Sequence, residues 1–112
     1  MQAHSYYFLE MQTKKQINAT KIFLNVYYYD VGHYPSTTQG LEVLLKRPTG
    51  PDGYKWKGPY LRINKKIPTD AWGNQLHYQC PGLYNPDSYD LWSYGADNKK
   101  GGTNKNSDIG NW

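Results

Sequence analysis

The residues of this chain best placed to do chemistry together lie near its end, in the stretch Ser93–Trp112. Asp97 and Asp108 bracket a run rich in Gly, Asn and Lys. It holds few large apolar residues between Ala96 and Ile109, so it cannot fold by burying itself. Two carboxylates, the carbonyls of the Gly and Asn positions and the Ser107 hydroxyl make an all-oxygen donor set. Such a set suits a hard cation, above all calcium, which takes about six to eight oxygen ligands and accepts many from backbone. The spacing is not that of an EF-hand. Gly102 falls at the sixth position, but Lys99 and Gly101 occupy the third and fifth, and Asp108 rather than Glu closes the loop. A metal there requires Lys99, Lys100 and Lys105 to point outward. On composition alone, a solvated loop is the stronger reading.

The remaining titratable residues offer less. Cys80 is the one cysteine, so an intrachain disulfide is excluded, and its place in a strand-like run predicts a buried, inert thiol. His4, His33 and His77 have no metal-ligand spacing. Asp70, Asp87 and Asp90 fall in or near turns, and nothing converges them on a cleft. Turn-closing roles are expected for them, with no catalytic residue and no enzyme.

The elements that position the C-terminal loop must come from a chain of 112 residues, enough for one domain with a modest core. It has 11 Gly and 7 Pro against 12 Tyr and 4 Trp, so the core must lean on aromatic rings with polar handles. The formal net charge is +4, but the basic residues are scattered in short pairs rather than a dense stripe, and no nucleic-acid partner is expected. No apolar run reaches transmembrane length and no signal peptide is seen. The opening Met1–Ser5 reads as either native or appended, which leaves room for a lost export or membrane segment.

Residues 1–13 stay open between a helical turn and an N-terminal extension or tag remnant, and residues 14–112 are read as the single domain. From Thr13 to about Asp30 the spacing of Ala19, Ile22, Phe23, Val26 and Tyr27 predicts a helix with that stripe as domain core. Gly32 and Pro35 supply its stop. Ser36–Gln39 has the form of a capping box before a short helix that buries Leu41, Val43, Leu44 and Leu45 and ends by Pro48. Residues 54–73, with Trp56, Tyr60, Leu61, Ile63, Ile67 and Trp72, read as an ordered meander pinned to the first helix by its aromatics. Gln75–Cys80 and Ser88–Tyr94 alternate as strands, with Tyr89, Leu91 and Ser93 on one face and Asp90, Trp92 and Tyr94 on the other. Ile109–Trp112 is a short third strand. The fold class is α+β, one long helix followed by a small antiparallel sheet.

That order and five strings resemble the major, G-type pseudopilin family of the type II secretion system. The strings are Tyr34–Glu42, Gly58–Leu61, Ile67–Asn74, Tyr89–Asp97 and Asp108–Trp112, and the resemblance covers roughly residues 14–112. It implies a pilin-like fold and the soluble periplasmic domain of a subunit anchored in the bacterial inner membrane through an N-terminal apolar segment. The implied role is structural. Copies stack through their N-terminal helices into a periplasmic filament, with minor pseudopilins and inner-membrane secretion components as further partners, and the filament drives export of folded proteins. Without its apolar segment the domain is expected to be a monomer.

The resemblance also implies Ca2+. Carried over, Asp97 and Asp108 give side-chain oxygens and Tyr94 a carbonyl, with further oxygens from Gly102–Ser107. Some members have a second aspartate where this chain has Ser107, so Thr103, Ser107, a carbonyl or water must complete the set. This reverses the preference for a bare loop. Two alternative classes stand beside it. A type IV pilin or minor pseudopilin is the nearer, although type IV pilins often carry a C-terminal disulfide. A carbohydrate-binding module is the more distant, and it predicts Trp56, Trp72 and Trp92 exposed in a row.

Overall fold

The first helix, α1, runs Gln2–Val31 and sets the length of the molecule. Its 30 residues rise about 45 Å at 1.5 Å per residue, close to the 50 Å longest dimension. The computed structural model describes residues 2–62 and 65–112, with side chains from Tyr6 onward. Ile63, assigned above to the meander, lies outside the described residues, as do Met1 and the His4 side chain.

The helix begins well before Thr13, where the sequence pattern placed its start. Its buried row is Thr13, Ile17, Thr20, Leu24, Tyr27 and Val31, spaced alternately by four and three. The predicted stripe is corrected accordingly. Tyr27 is buried and Phe23 partly so, but Ile22 is 62% and Val26 42% exposed, and Ala19 also faces solvent. The reason lies in the two threonines. Thr13 and Thr20 donate their hydroxyls to the Leu9 and Gln16 carbonyls at 2.9 and 2.7 Å, so they enter the core with their polarity satisfied inside the helix. Gly32 ends α1 at a φ of +101°, its N–H donating to the Tyr28 carbonyl.

The capping box forms reciprocally. Gln39 N–H donates to Ser36 Oγ at 3.1 Å, and Ser36 N–H donates to Gln39 Oε1 at 2.9 Å. The element that follows is a 3-10 turn, Gly40–Leu44, burying Leu41, Val43 and Leu44. A single helical turn, α2, spans Asp52–Lys55. The meander is pinned by several hydrogen bonds, among them Ala71 N–H donating to Thr13 Oγ1 of α1 at 3.1 Å. Tyr60 donates its hydroxyl to Asp30 of α1 at 2.8 Å, whereas buried Trp56 donates Nε1 to the Val43 carbonyl at 2.7 Å.

Three short strands close the domain: β1 His77–Gln79, β2 Asp90–Ser93 and β3 Ile109–Gly110, antiparallel with β2 central. Tyr78 pairs with Leu91, and Ser93 with Ile109. Tyr89, Leu91 and Ser93 are buried, as the alternation predicted. Asp90 lies on the other face and is nevertheless only 2% exposed. Its carboxylate accepts the N–H groups of Leu83, Tyr84 and Asn85 at 2.7, 3.0 and 3.0 Å, and a fourth bond from Asn85 Nδ2. Gly82 makes room for it, since a Cβ there would collide with Asp90 Oδ1. Asp70 closes a second turn, accepting from Trp72 and Asn74 N–H and from Ser93 Oγ at 2.6 Å. Asp87 is exposed. Cys80 is half-buried and donates its thiol to the Ser88 carbonyl.

Candidate functional site: the C-terminal loop

The loop between β2 and β3 folds without a core, through its backbone. Gly95, Asn98, Gly101, Gly102 and Asn104 all take left-handed conformations, which reverse the chain repeatedly in a short span. Asn and Gly are the residue types that enter that region at least cost, which is why this composition folds as it does. The neck is closed by Ala96 N–H donating to the Lys105 carbonyl at 2.7 Å, just beyond the Ser93–Ile109 strand pair. Gly95 is required there. A Cβ would lie 2.7 Å from both the Lys105 and Ser107 carbonyl oxygens, so these two oxygens converge over it. A short 3-10 turn, Asn104–Asn106, brings the chain back.

Asp97 and Asp108 grip the same stretch from its two ends. Asp97 Oδ1 accepts the Lys99 N–H at 3.1 Å, and Asp108 Oδ1 accepts the Gly101 N–H at 2.9 Å. Among the described residues the second oxygen of each carboxylate has no protein partner. Asp97 is exposed, whereas Asp108 and Ser107 are half-buried near the neck. Tyr94 is half-buried, its ring 4.5 Å from that of His77. His77 in turn bonds Asn98 Oδ1 at 3.0 Å and so ties the loop to β1. Thr103 is exposed, and its carbonyl already accepts the Asn106 N–H. Lys99, Lys100 and Lys105 are exposed, as a metal at this place requires. No cluster of three or more His, Cys, Asp or Glu occurs among the described residues. A cation here therefore has two carboxylates at most and takes its other oxygens from backbone and hydroxyls, a donor set that fits a hard cation in type.

The sequence reading missed the aromatic wall beside the loop. Tyr84 stacks on Trp112 at 4.1 Å between centroids, Trp112 lies 6.1 Å from Trp92, and Trp92 stacks on His77 at 5.5 Å. The Trp112 ring also covers Gly110, where a Cβ would meet it at 2.6 Å. The rings thus contact one another in series, with Tyr84 and Trp112 still exposed at the outer end. Trp56, Trp72 and Trp92 form no exposed row: Trp56 is 7% exposed and the other two are half-buried. The exposed row of these three tryptophans that the carbohydrate-module alternative predicts is therefore not present.

A long helix laid on a small antiparallel sheet, with an ordered loop before the last strand, is the architecture of a pilin-like subunit. Residues 9–112 match the family model described as type II secretion system, protein G, and the chain belongs to that family. It is 48% identical over 101 residues to type II secretion system core protein G of Pseudomonas aeruginosa, covering 88% of this chain and 68% of that protein. The counterpart from Vibrio cholerae is 40% identical over 90 residues, covering 80% and 58%. The chain thus spans between 58% and 68% of these relatives' lengths. Among solved structures, the major pseudopilin from the type 2 secretion system of enterohaemorrhagic Escherichia coli superposes with a TM-score of 0.79 at 30% identity, covering all of this chain and 93% of that one. The match extends through α1 and the sheet alike. The family is one of structural subunits, not enzymes. Among the described residues no helix is long and apolar enough to cross a membrane.

Proposed function

We propose that this chain is the periplasmic part of a subunit anchored in the bacterial inner membrane, which assembles with its own copies into the filament of a type II secretion system. Minor pseudopilins and inner-membrane secretion components are the other partners, and the filament drives folded proteins out of the periplasm. The observation that carries this reading is the outer face of α1. Phe8, Met11, Ile22, Val26 and Tyr29 are all exposed. At 100° per residue they gather on the side opposite the buried row Thr13–Val31. A helix face of exposed apolar residues, interrupted by Lys15 and left largely uncovered among the described residues, is suited to pack against another copy. Ile22→Asp and Val26→Asp, made in the full-length protein in its bacterial host, are expected to abolish filament assembly and secretion. The same changes should leave the melting temperature of this domain within a few degrees of the parent. Normal secretion by both variants would refute the assembly role of this face.

The reading includes a calcium-stabilised loop. Asp97 and Asp108 would hold Ca2+ through side-chain oxygens, with Tyr94, Thr103 and Ser107 contributing carbonyl or hydroxyl oxygens. The ion would supply only charge and coordination, cross-linking the two ends of a loop that has no core and stabilising the native state by mass action. The free second oxygens of both aspartates and the carbonyls gathered over Gly95 support this. Added calcium is expected to raise the melting temperature of the parent, with chelator reversing it, and Asp97→Ala and Asp108→Ala should each lose the response. An unchanged melting temperature with calcium, in protein shown metal-free by elemental analysis, would leave the loop as a bare surface.

A further inference from the structure

His33 lies in the turn that follows α1. Its Nδ1 is 2.8 Å from the Tyr34 carbonyl oxygen and its Nε2 is 2.9 Å from Asp52 Oδ1. Both partners can only accept: one is a carbonyl and the other an ionised carboxylate. Each ring nitrogen must carry a proton to make its bond, and a neutral imidazole has one proton for the two. Asp52 is the first residue of α2, and its other oxygen accepts from Gln39 Nε2 at 3.0 Å. Gln39 is the same residue that forms the reciprocal cap with Ser36. One imidazolium therefore links the end of α1, the 36–39 turn and the start of α2.

We propose that His33 is a proton-operated clip, which fastens α2 and the 36–39 turn to the end of α1 when both ring nitrogens are protonated and loosens when one proton is lost, because the remaining N–H can serve only one of the two acceptors. The groups that face it are few. α2 presents Asp52 and Lys55, α1 presents the Tyr27 phenol edge-on at 6.3 Å, with Tyr60 behind it, and the 36–39 turn presents only uncharged Ser36 and Gln39. The Tyr34 carbonyl and Asp52 hold the His33 pKa above its ordinary value of 6.5, against burial and Lys55. Because the folded value is the higher one, the clip contributes fully below about pH 6.5 and is lost as pH rises through the folded value. Beyond that point either tautomer turns a lone pair toward an acceptor. α2 stays tethered at its other side, where the Arg47 guanidinium donates to the Gly53 carbonyl and Trp56 enters the core. The weakening is therefore local, and it loosens the surface turn that carries the exposed Tyr54.

The test is an imidazole nitrogen-15 titration of this chain by NMR, with amide exchange of Tyr54 and Trp56 followed over the same range. The expected result is a His33 midpoint above about 6.5, both nitrogens protonated below it, and a several-fold loss of intrinsic-rate-corrected protection at the two amides above it. Asp52→Asn should bring the midpoint back toward about 6.5, and His33→Gln should remove the pH dependence of that protection. A parent midpoint at or below about 6.5, or α2 protection unchanged through the midpoint, would overturn the clip.

Discussion

The loop between β1 and β2 and the loop between β2 and β3 are both organised by aspartate, in opposite ways. In the first, the Asp90 carboxylate is buried and saturated by four N–H donors from Leu83, Tyr84 and Asn85. Asn111, just after β3, completes that region, its Oδ1 accepting the Leu91 N–H and its Nδ2 donating to the Tyr89 carbonyl. In the second, Asp97 and Asp108 each accept one backbone N–H, and the rest of the loop is held by the Ala96–Lys105 neck bond, the His77–Asn98 tie and turns at residues in left-handed conformation. A buried carboxylate surrounded by donors is a complete staple and has no capacity left for an ion. Carboxylates that use half of their oxygens, beside carbonyls turned to one side, have capacity to spare. The difference separates a loop whose carboxylate is fully engaged by its own backbone from one whose two carboxylates each keep an oxygen free among the described residues.

The comparison breaks most visibly at Asp90. Asp90→Ala strips the acceptor from three part-buried backbone N–H groups and the Asn85 amide, and is expected to cost about 3–5 kcal/mol. For a domain of this size that lowers the melting temperature by more than about 10 °C. The loss should be the same with calcium or chelator present, because this staple takes no part in the other loop. A calcium-dependent loss would join the two loops and remove the contrast.

Alkaline pH attacks the same half of the molecule. Burial raises the phenols of Tyr78 and Tyr89 far above the usual tyrosine range, and that of Tyr27 to about 12. Their unfolded value is near 10, so the unfolded chain releases phenol protons first and stability falls as pH rises above about 10. Tyr27 sharpens the case, since its buried hydroxyl has no hydrogen-bond partner among the described residues. Tyr27→Phe should be neutral or stabilising by up to about 1 kcal/mol at pH 7, and should delay alkaline unfolding followed by circular dichroism. Unfolding that is no later in Tyr27→Phe than in the parent would remove this phenol from the account.

Much of this was legible in the sequence, and what was missed has a common cause. The strand faces followed from period-two alternation at Tyr89, Leu91 and Ser93, and the Ser36–Gln39 box from residue type and spacing. The buried row of α1 was misread because two of its members are threonines, whose hydroxyls are satisfied by the helix's own carbonyls. Phe8 and Met11 belong to the outer row, so the early helix showed no core pattern to extend. Asp90 was assigned to the face opposite the core, yet it is buried through donors that lie in a preceding loop and a gap left by Gly82. In each case the polar group is satisfied by a partner that hydrophobic periodicity does not register. In the C-terminal loop the Gly and Asn content accounts for the five left-handed residues, a geometry the sequence reading did not specify.

The smallest expected effect is the one that isolates the second loop. Asp108→Ala in chelator removes one bond, from the Gly101 N–H, at a half-buried carboxylate, and water can replace it. A cost of about 0.5–1 kcal/mol is expected in urea unfolding, with the slope against denaturant unchanged. That is a fraction of the Asp90→Ala cost, although both changes delete an aspartate that accepts backbone N–H groups in a loop next to β2. If Asp108→Ala in chelator costs as much as Asp90→Ala, Asp108 is already a full staple, and the loop has no unfinished coordination for a cation to complete. If the cost is small in chelator and grows when calcium is added to the parent, the added stability belongs to the ion-bound loop, and the two loops differ in the way their carboxylates indicate.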